Sequence, residues 1–148
     1  EEKQVTFEQG LIAYVDGSYN VKTKEYGFGC VLIEGGQVIK EVYDKGNDVN
    51  YASMRNVAGE ILGSLYAMEF AKNNGYMQVC IYYDYEGIEK WANGSWKANK
   101  IKTQEYQKKV IQYRESMDIV FVKVLAHSGD VYNERADKLA KKAVGING

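Results

Sequence analysis

The stretch that most constrains this chain is Leu11 to Ser18, Leu-Ile-Ala-Tyr-Val-Asp-Gly-Ser. Five residues with strand preference run into an aspartate, then a glycine and a serine. A run this apolar reads as a central strand, buried on both faces of a sheet. Asp16 therefore sits where a charge is costly unless a cation or several donors meet it. Gly17 is expected to turn the backbone tightly there, and Ser18 to add a hydroxyl and an amide at the same edge. Taken alone, Asp16 reads equally well as a residue that ends a strand and caps a turn.

The rest of the chain supplies a sheet for that strand. Tyr19 to Glu25 is a polar, basic turn. Tyr26 to Glu34 reads as a second strand, Gly35-Gly36 as a two-residue hairpin, and Gln37 to Asp44 as a half-exposed third strand. Gly46 to Ala52 is a loop. Ser53 is the expected N-cap of a long helix ending near Asn73 or Asn74, with Gly75 beyond it. Gln78 to Tyr83 is a buried strand running into Asp84. Tyr85 to Ala92 reads as a short helix, and Asn93 to Lys100 as a basic, aromatic loop. Lys102 to Ser116 is a helix and Asp118 to Leu125 a fifth strand. Ala126 to Tyr132 is a loop carrying His127, and Asn133 to Val144 a closing helix. The order β-β-β-α-β-α-α-β-α implies a mixed sheet with helices packed on it.

With 148 residues, 45% hydrophobic and 26% charged, the chain suits one globular domain with a real core. It contains no proline, and no Gly/Ser-rich linker divides it. No apolar run approaches the roughly 20 residues of a membrane span, and no signal peptide is visible. The polar start Glu1-Glu2-Lys3-Gln4 lacks an initiator Met, as expected of a piece of a longer chain. Cys30 and Cys80 each lie in an apolar run and read as buried reduced thiols, which suits a reducing compartment, the cytoplasm. The formal charge is -1, which does not by itself announce a nucleic-acid binder. Its distribution says more, since Lys90, Lys97, Lys100, Lys102, Lys108 and Lys109 crowd around Trp91 and Trp96. Two divalent ions held by four carboxylates would also bring the total to roughly +3.

Four carboxylates occupy unusual positions. Asp16 and Asp84 each end a buried strand, while Glu60 and Asp137 each fall on the packing face of a helix. Lysine and arginine lie mostly elsewhere, so together these acids need another compensator. A hard divalent cation such as Mg²⁺ takes oxygen ligands from a few carboxylates and a substrate phosphate. Two such ions about 4 Å apart clamp the attacking and leaving oxygens of a phosphodiester. Trp91 and Trp96 read as a stacking platform or as ordinary packing, and the lysines as an electrostatic guide for phosphate.

The chain resembles type 1 ribonuclease H. The resemblance runs from Leu11 onward. It rests on Tyr-Val-Asp-Gly-Ser at 14 to 18, Arg-Asn-Val-Ala-Gly-Glu-Ile at 55 to 61 and Tyr-Tyr-Asp at 82 to 84. It rests also on His-Ser-Gly at 127 to 129 and Asn-Glu-Arg-Ala-Asp-Lys-Leu-Ala at 133 to 140. It implies an α/β ribonuclease H-like fold with a five-stranded mixed sheet of order 3-2-1-4-5. That order puts Asp16 and Asp84 on adjacent strands and separates the strands of the two cysteines. Residues 11 to 148 would be the catalytic domain and residues 1 to 10 an N-terminal extension.

The activity implied is metal-dependent hydrolysis of the RNA strand of RNA–DNA hybrids to 5′-phosphate and 3′-hydroxyl products. The metal ligands implied are Asp16, Glu60, Asp84 and Asp137, holding two Mg²⁺ ions or, as a substitute, Mn²⁺. His127 would assist proton transfer or product departure. RNA is recognisable because a shallow minor groove displays its 2′-hydroxyls. Gly17, Ser18, Asn20 and Asn56 are candidates for that contact, with Trp91, Trp96 and Lys97 for the wider duplex. The expected partner is the hybrid alone, with no membrane and no small-molecule cofactor, bound by a monomer.

The chain departs from the family pattern in places. Many members carry two consecutive amides before the metal-binding glutamate, where this chain has Asn56-Val57. Many carry Ser-Gln after the third acid, where it has Tyr85-Glu86. The basic segment after Trp91 is short, with Lys97, Lys100 and Lys102 as a reduced handle. Two rivals stand beside the reading: a nuclease of the same architecture with another duplex preference, and a binding module that no longer cuts.

Overall fold

A computed structural model describes residues 10–125 and 130–146. The first strand, β1 (Gly10–Asn20), lies at the centre of a five-stranded sheet of order β3-β2-β1-β4-β5. β2 (Glu25–Glu34) and β3 (Gln37–Gly46) complete an antiparallel meander, and β4 (Gln78–Tyr83) and β5 (Asp118–Lys123) extend the sheet in parallel. This is the mixed sheet expected from the sequence. The helices are α1 (Val49–Ala52), α2 (Asn56–Asn73), α3 (Gly87–Ala92), α4 (Ile101–Arg114) and α5 (Val131–Ala143).

Alternation along β1 divides the core in two. Leu11, Ala13 and Val15 face a large cluster with Ile61 and Met68 of α2, Ile88 of α3 and Tyr106 and Val110 of α4. Ile12 and Tyr14 face a smaller cluster with Ala136 and Leu139 of α5. Each large apolar side chain sealed in these layers contributes about 2 kcal/mol. Cys30 belongs to the first layer and Cys80 to the second, so the two buried free thiols lie on opposite faces of the sheet.

Several local expectations change. β1 does not turn at Gly17. It continues to Asn20 because Asp16, Gly17 and Ser18 pair with Gly29, Phe28 and Gly27 of β2. Gly10, assigned to the N-terminal extension, is already in the strand. Ser53 does not cap the long helix. The loop expected before it holds the short α1, capped by the Asp48 side chain on Asn50 N–H, and Ser53 closes that turn. α2 starts instead at Asn56, after Arg55 with φ 56°. α5 starts at Val131, two residues early, because the Asp130 carboxylate accepts from the amides of Tyr132 and Asn133. Gly35 and Gly36 have φ of 58° and 81°, as the hairpin turn requires. No described helix is long and apolar enough to cross a membrane.

Candidate active site

Asp16 occupies the α5 face of β1, directly opposite Gly29 of β2. Tyr14 and Tyr82 are partners in the parallel β1–β4 pairing. Asp16 and Asp84 each follow that pair by two residues, Asp16 within β1 and Asp84 just past the end of the neighbouring β4. Asp137 comes from α5, which reaches the sheet where Gly29 has no side chain. A Cβ there would collide with the carbonyl of Ala136 and stand 2.6 Å from the Leu139 side chain. Asp16, Asp84 and Asp137 thus line one cleft of about 160 Å³, with Gly17, Asn56, Asn133 and Glu134.

Glu60 approaches from the other face of the sheet. Its helix is let in by Gly17, where a Cβ would collide with the carbonyl of Asn56 and stand 2.6 Å from the amide of Glu60. The Glu60 carboxylate, 3% exposed, accepts from the Asp84 amide at 2.5 Å and the Tyr85 amide at 3.2 Å. It stands behind the cleft rather than on its wall, at the turn that presents Asp84.

Asp16 and Glu60 resist ionisation. Burial pushes Asp16 up to about 7 against the opposing pull of the Gly17 amide, and the negative charge of Asp137 and Asp84 adds to the rise. Burial likewise pushes Glu60 up to about 8, against the Asp84 amide and with the charge of Asp16 and Asp84 adding to it. Among the described residues, the one cation paired with the set is Lys141, 3.1 Å from Asp137. Hard oxygen donors, desolvated and mutually repelling, suit a divalent cation. As the side chains stand, with Glu60 on backbone amides and Asp137 on Lys141, no group of three such ligands among the described residues is gathered to hold an ion.

A pH dependence follows. Both folded-state pKa values lie above the ordinary carboxylate range, so between about pH 4 and 8 the folded protein holds protons that the unfolded chain has released. The stability these groups supply is therefore present at the acidic end and lost as pH rises through about 7 and about 8. In EDTA, thermal melting is expected at a higher temperature at pH 5.5 than at pH 8.5, a loss of several degrees. An Asp16→Asn, Glu60→Gln double variant should flatten that slope. An equal slope in the variant assigns the effect to other groups.

The nucleic-acid candidates divide. Gly17 and Asn56 lie on the cleft, and Asn56 is exposed at the first turn of α2. Ser18 is buried in β1. Asn20 is not brought to the cleft. Its amide donates to the Val144 carbonyl at 2.8 Å, and its oxygen accepts from the Lys22 amide at 2.9 Å, so it ties the β1–β2 turn to the end of α5. Trp91 and Trp96 form a cluster with Tyr85, ring centres 5.9 to 6.1 Å apart. Beside it a groove of about 310 Å³ is lined by Met54, Val57, Tyr85, Trp91, Lys97 and Lys100, among others. Lys102 is instead committed to Glu105 at 3.2 Å and Asp48 at 3.5 Å. The groove adjoins the acidic cleft. Asn56 and Asp84 line the cleft, and the very next residues, Val57 and Tyr85, line the groove.

His127 lies outside the described residues. Asn133 and Glu134 were missed in the sequence, although each lies within about one helical turn of Asp137, a spacing that could have pointed to them.

Known proteins resemble this chain over most of its length. The family profile described as RNase H matches residues 8–145. The ribonuclease H of Wolbachia pipientis wMel is 29% identical over 140 residues, covering 90% of this chain and 94% of that protein. The ribonuclease H of Prosthecochloris aestuarii is 26% identical over 149 residues, covering 93% and 97%. Among solved structures, RNase H1 from the halophilic archaeon Halobacterium salinarum NRC-1 superposes with a TM-score of 0.76 at 24% identity, covering 92% and 98%. LC11-RNase H1, crystallised in complex with an RNA/DNA hybrid, gives 0.74 at 22% identity, covering 91% and 96%. The two structures share the fold.

Proposed function

The chain belongs to the ribonuclease H family, and we propose from that premise that it hydrolyses the RNA strand of RNA–DNA hybrids, leaving 5′-phosphate and 3′-hydroxyl ends. The observation that carries this reading is the meeting of Asp16, Asp84 and Asp137 on one cleft, backed by Glu60 and bordered by an aromatic, basic groove. Asp16, Glu60, Asp84 and Asp137 would hold two divalent ions, Mg²⁺ or Mn²⁺. When bound, such ions supply a nucleophilic water at neutral pH and stabilise charge on the attacking and leaving oxygens.

The chain's own residues have distinct tasks. β1 holds Asp16, and the end of β4 with the Glu60 carboxylate on the Asp84 amide holds Asp84, before any ligand arrives, which limits reorganisation during the reaction. Lys97 and Lys100 attract phosphate, and Trp91 offers a ring face for stacking on a sugar or base. Val57 and Tyr85 make the groove wall more apolar, where many members of the family carry an amide and a serine. The duplex is then gripped there by shape and stacking, while selection for RNA falls to the groups on the cleft, Gly17 and Asn56. His127 is proposed to assist proton transfer or product departure. Action as a monomer in the cytoplasm, with no small-molecule cofactor, belongs to the same proposal.

The test presents one labelled sequence as RNA–DNA hybrid, RNA duplex, DNA duplex and single strand, each with Mg²⁺, Mn²⁺ or EDTA. Metal-dependent cutting of RNA in the hybrid alone is the expected result. Cutting of another duplex moves the substrate class, and binding without cutting favours a module that has kept the fold and lost the chemistry.

A further inference from the structure

Asn133 is a buried polar residue with work unassigned. It is 8% exposed and lines the acidic cleft. Its backbone amide is taken by the Asp130 carboxylate at 3.1 Å, but its side-chain amide makes no hydrogen bond among the described residues. Ser64 carries the one fully enclosed, unpartnered side-chain polar atom among the described residues. Asn133 is instead one of the residues that line the cleft.

The rest of the wall defines what the amide can meet. Asp16, Asp84, Glu134 and Asp137 offer acceptors only. The Gly17 amide is already given to the Asp16 carboxylate at 2.9 Å, and Asn56 is exposed. Asn133 is thus the buried side-chain donor among the described lining residues. A lysine or arginine there would neutralise the acids and compete with a cation. An amide donates without charge, so it serves an anionic oxygen while leaving the carboxylates free. Asn133 is also fixed in place: it lies one turn before Asp137 on the same face of α5, and its backbone is pinned by the helix cap.

We propose that the side-chain amide of Asn133 donates a hydrogen bond to a non-bridging oxygen of the scissile phosphate. This rests on the proposed nuclease activity. The bond strengthens as charge gathers on that oxygen, so its loss is felt in the rate more than in binding.

The experiment compares wild type with Asn133→Ala, Asn133→Ser and Asn133→Asp. It measures single-turnover cutting of the hybrid in Mg²⁺, affinity for uncut hybrid in Ca²⁺, and melting of the metal-free protein. For Asn133→Ala the rate is expected to fall roughly 100-fold, with affinity changed less than about threefold and melting unchanged. Serine, which keeps a donor, should recover part of the rate, and aspartate, nearly isosteric but without one, should not. If alanine prevents folding, the contrast between serine and aspartate carries the test. A rate within about threefold of wild type overturns the proposal, as does a loss confined to affinity or a loss that tracks a lowered melting point. Failure of the wild-type protein to cut the hybrid at all would instead overturn the activity on which it rests.

Discussion

Asp16→Asn is expected to abolish cleavage while making the metal-free protein more stable. Asp16 is the acid between the other groups: its ionisation is opposed by burial first, and by the charge of Asp137 and Asp84. Asparagine keeps the shape and an oxygen for the Gly17 amide, which now reaches Asp16 at 2.9 Å, but carries no charge to desolvate. At pH 8, where the native carboxyl is forced to ionise, the gain should be on the order of 2 kcal/mol. The same change removes the charge of a carboxylate proposed to hold the ions, so cutting should fall by roughly 10³-fold or more. Melting in EDTA and single-turnover cutting in Mg²⁺ check the two halves. Mg²⁺ should raise the melting point of wild type and leave the variant where it was, because only a bound ion adds stability. Near-normal cutting by the variant would remove Asp16 from the mechanism.

Gly29→Ala should damage both stability and activity. The added methyl has no room, with the Ala136 carbonyl in its path, the Leu139 side chain at 2.6 Å and the Ala140 amide at 2.7 Å. Two of these are backbone atoms of a helix, which cannot swing aside as a side chain would. Moving α5 away is the available response, at a cost of about 3 kcal/mol. Because Gly29 sits opposite Asp16, the shift also carries Asp137 away from its partner. Cutting should therefore fall by more than the unfolded fraction explains. Gly36→Ala is the control. That residue, at φ 81°, has nothing within 4 Å of an added Cβ, so it should lose about 1 kcal/mol and keep its rate. Denaturant unfolding and single-turnover rates on both variants decide between a general packing defect and a displaced acid.

The architecture was legible where one periodicity or one pair of residues decides it. Leu11 to Val15 marks the central strand, and Gly35-Gly36 the hairpin. The four acids stand out because they interrupt apolar faces. What was not legible depends on partners distant in sequence. Gly17 reads as a turn, but pairing with Phe28 keeps it in the strand, and the approach of α2 explains the missing side chain. Asn20 reads as a candidate for the 2′-hydroxyl contact, and the Val144 carbonyl, 124 residues away, claims its amide. Ser53 has the chemistry of a helix cap, yet the short helix capped by Asp48 uses it up. Asn133 reads as the start of the closing helix, and its burial on the cleft depends on the packing of that helix against the sheet.

The glycines beside Asp16 have one more consequence. Gly17 follows it along the strand and Gly29 faces it across the pair, one admitting the helix of Glu60 and the other the helix of Asp137. Main chain rests on main chain at both seats. The gap between the acids is therefore gauged by the thickness of the polypeptide backbone, a dimension common to every sequence. Core side chains elsewhere in the two layers can change size through mutation, and the helices can tilt to accommodate them, while these two points of contact act as pivots. The chain can drift far from its relatives in composition and still keep its carboxylates in calibration.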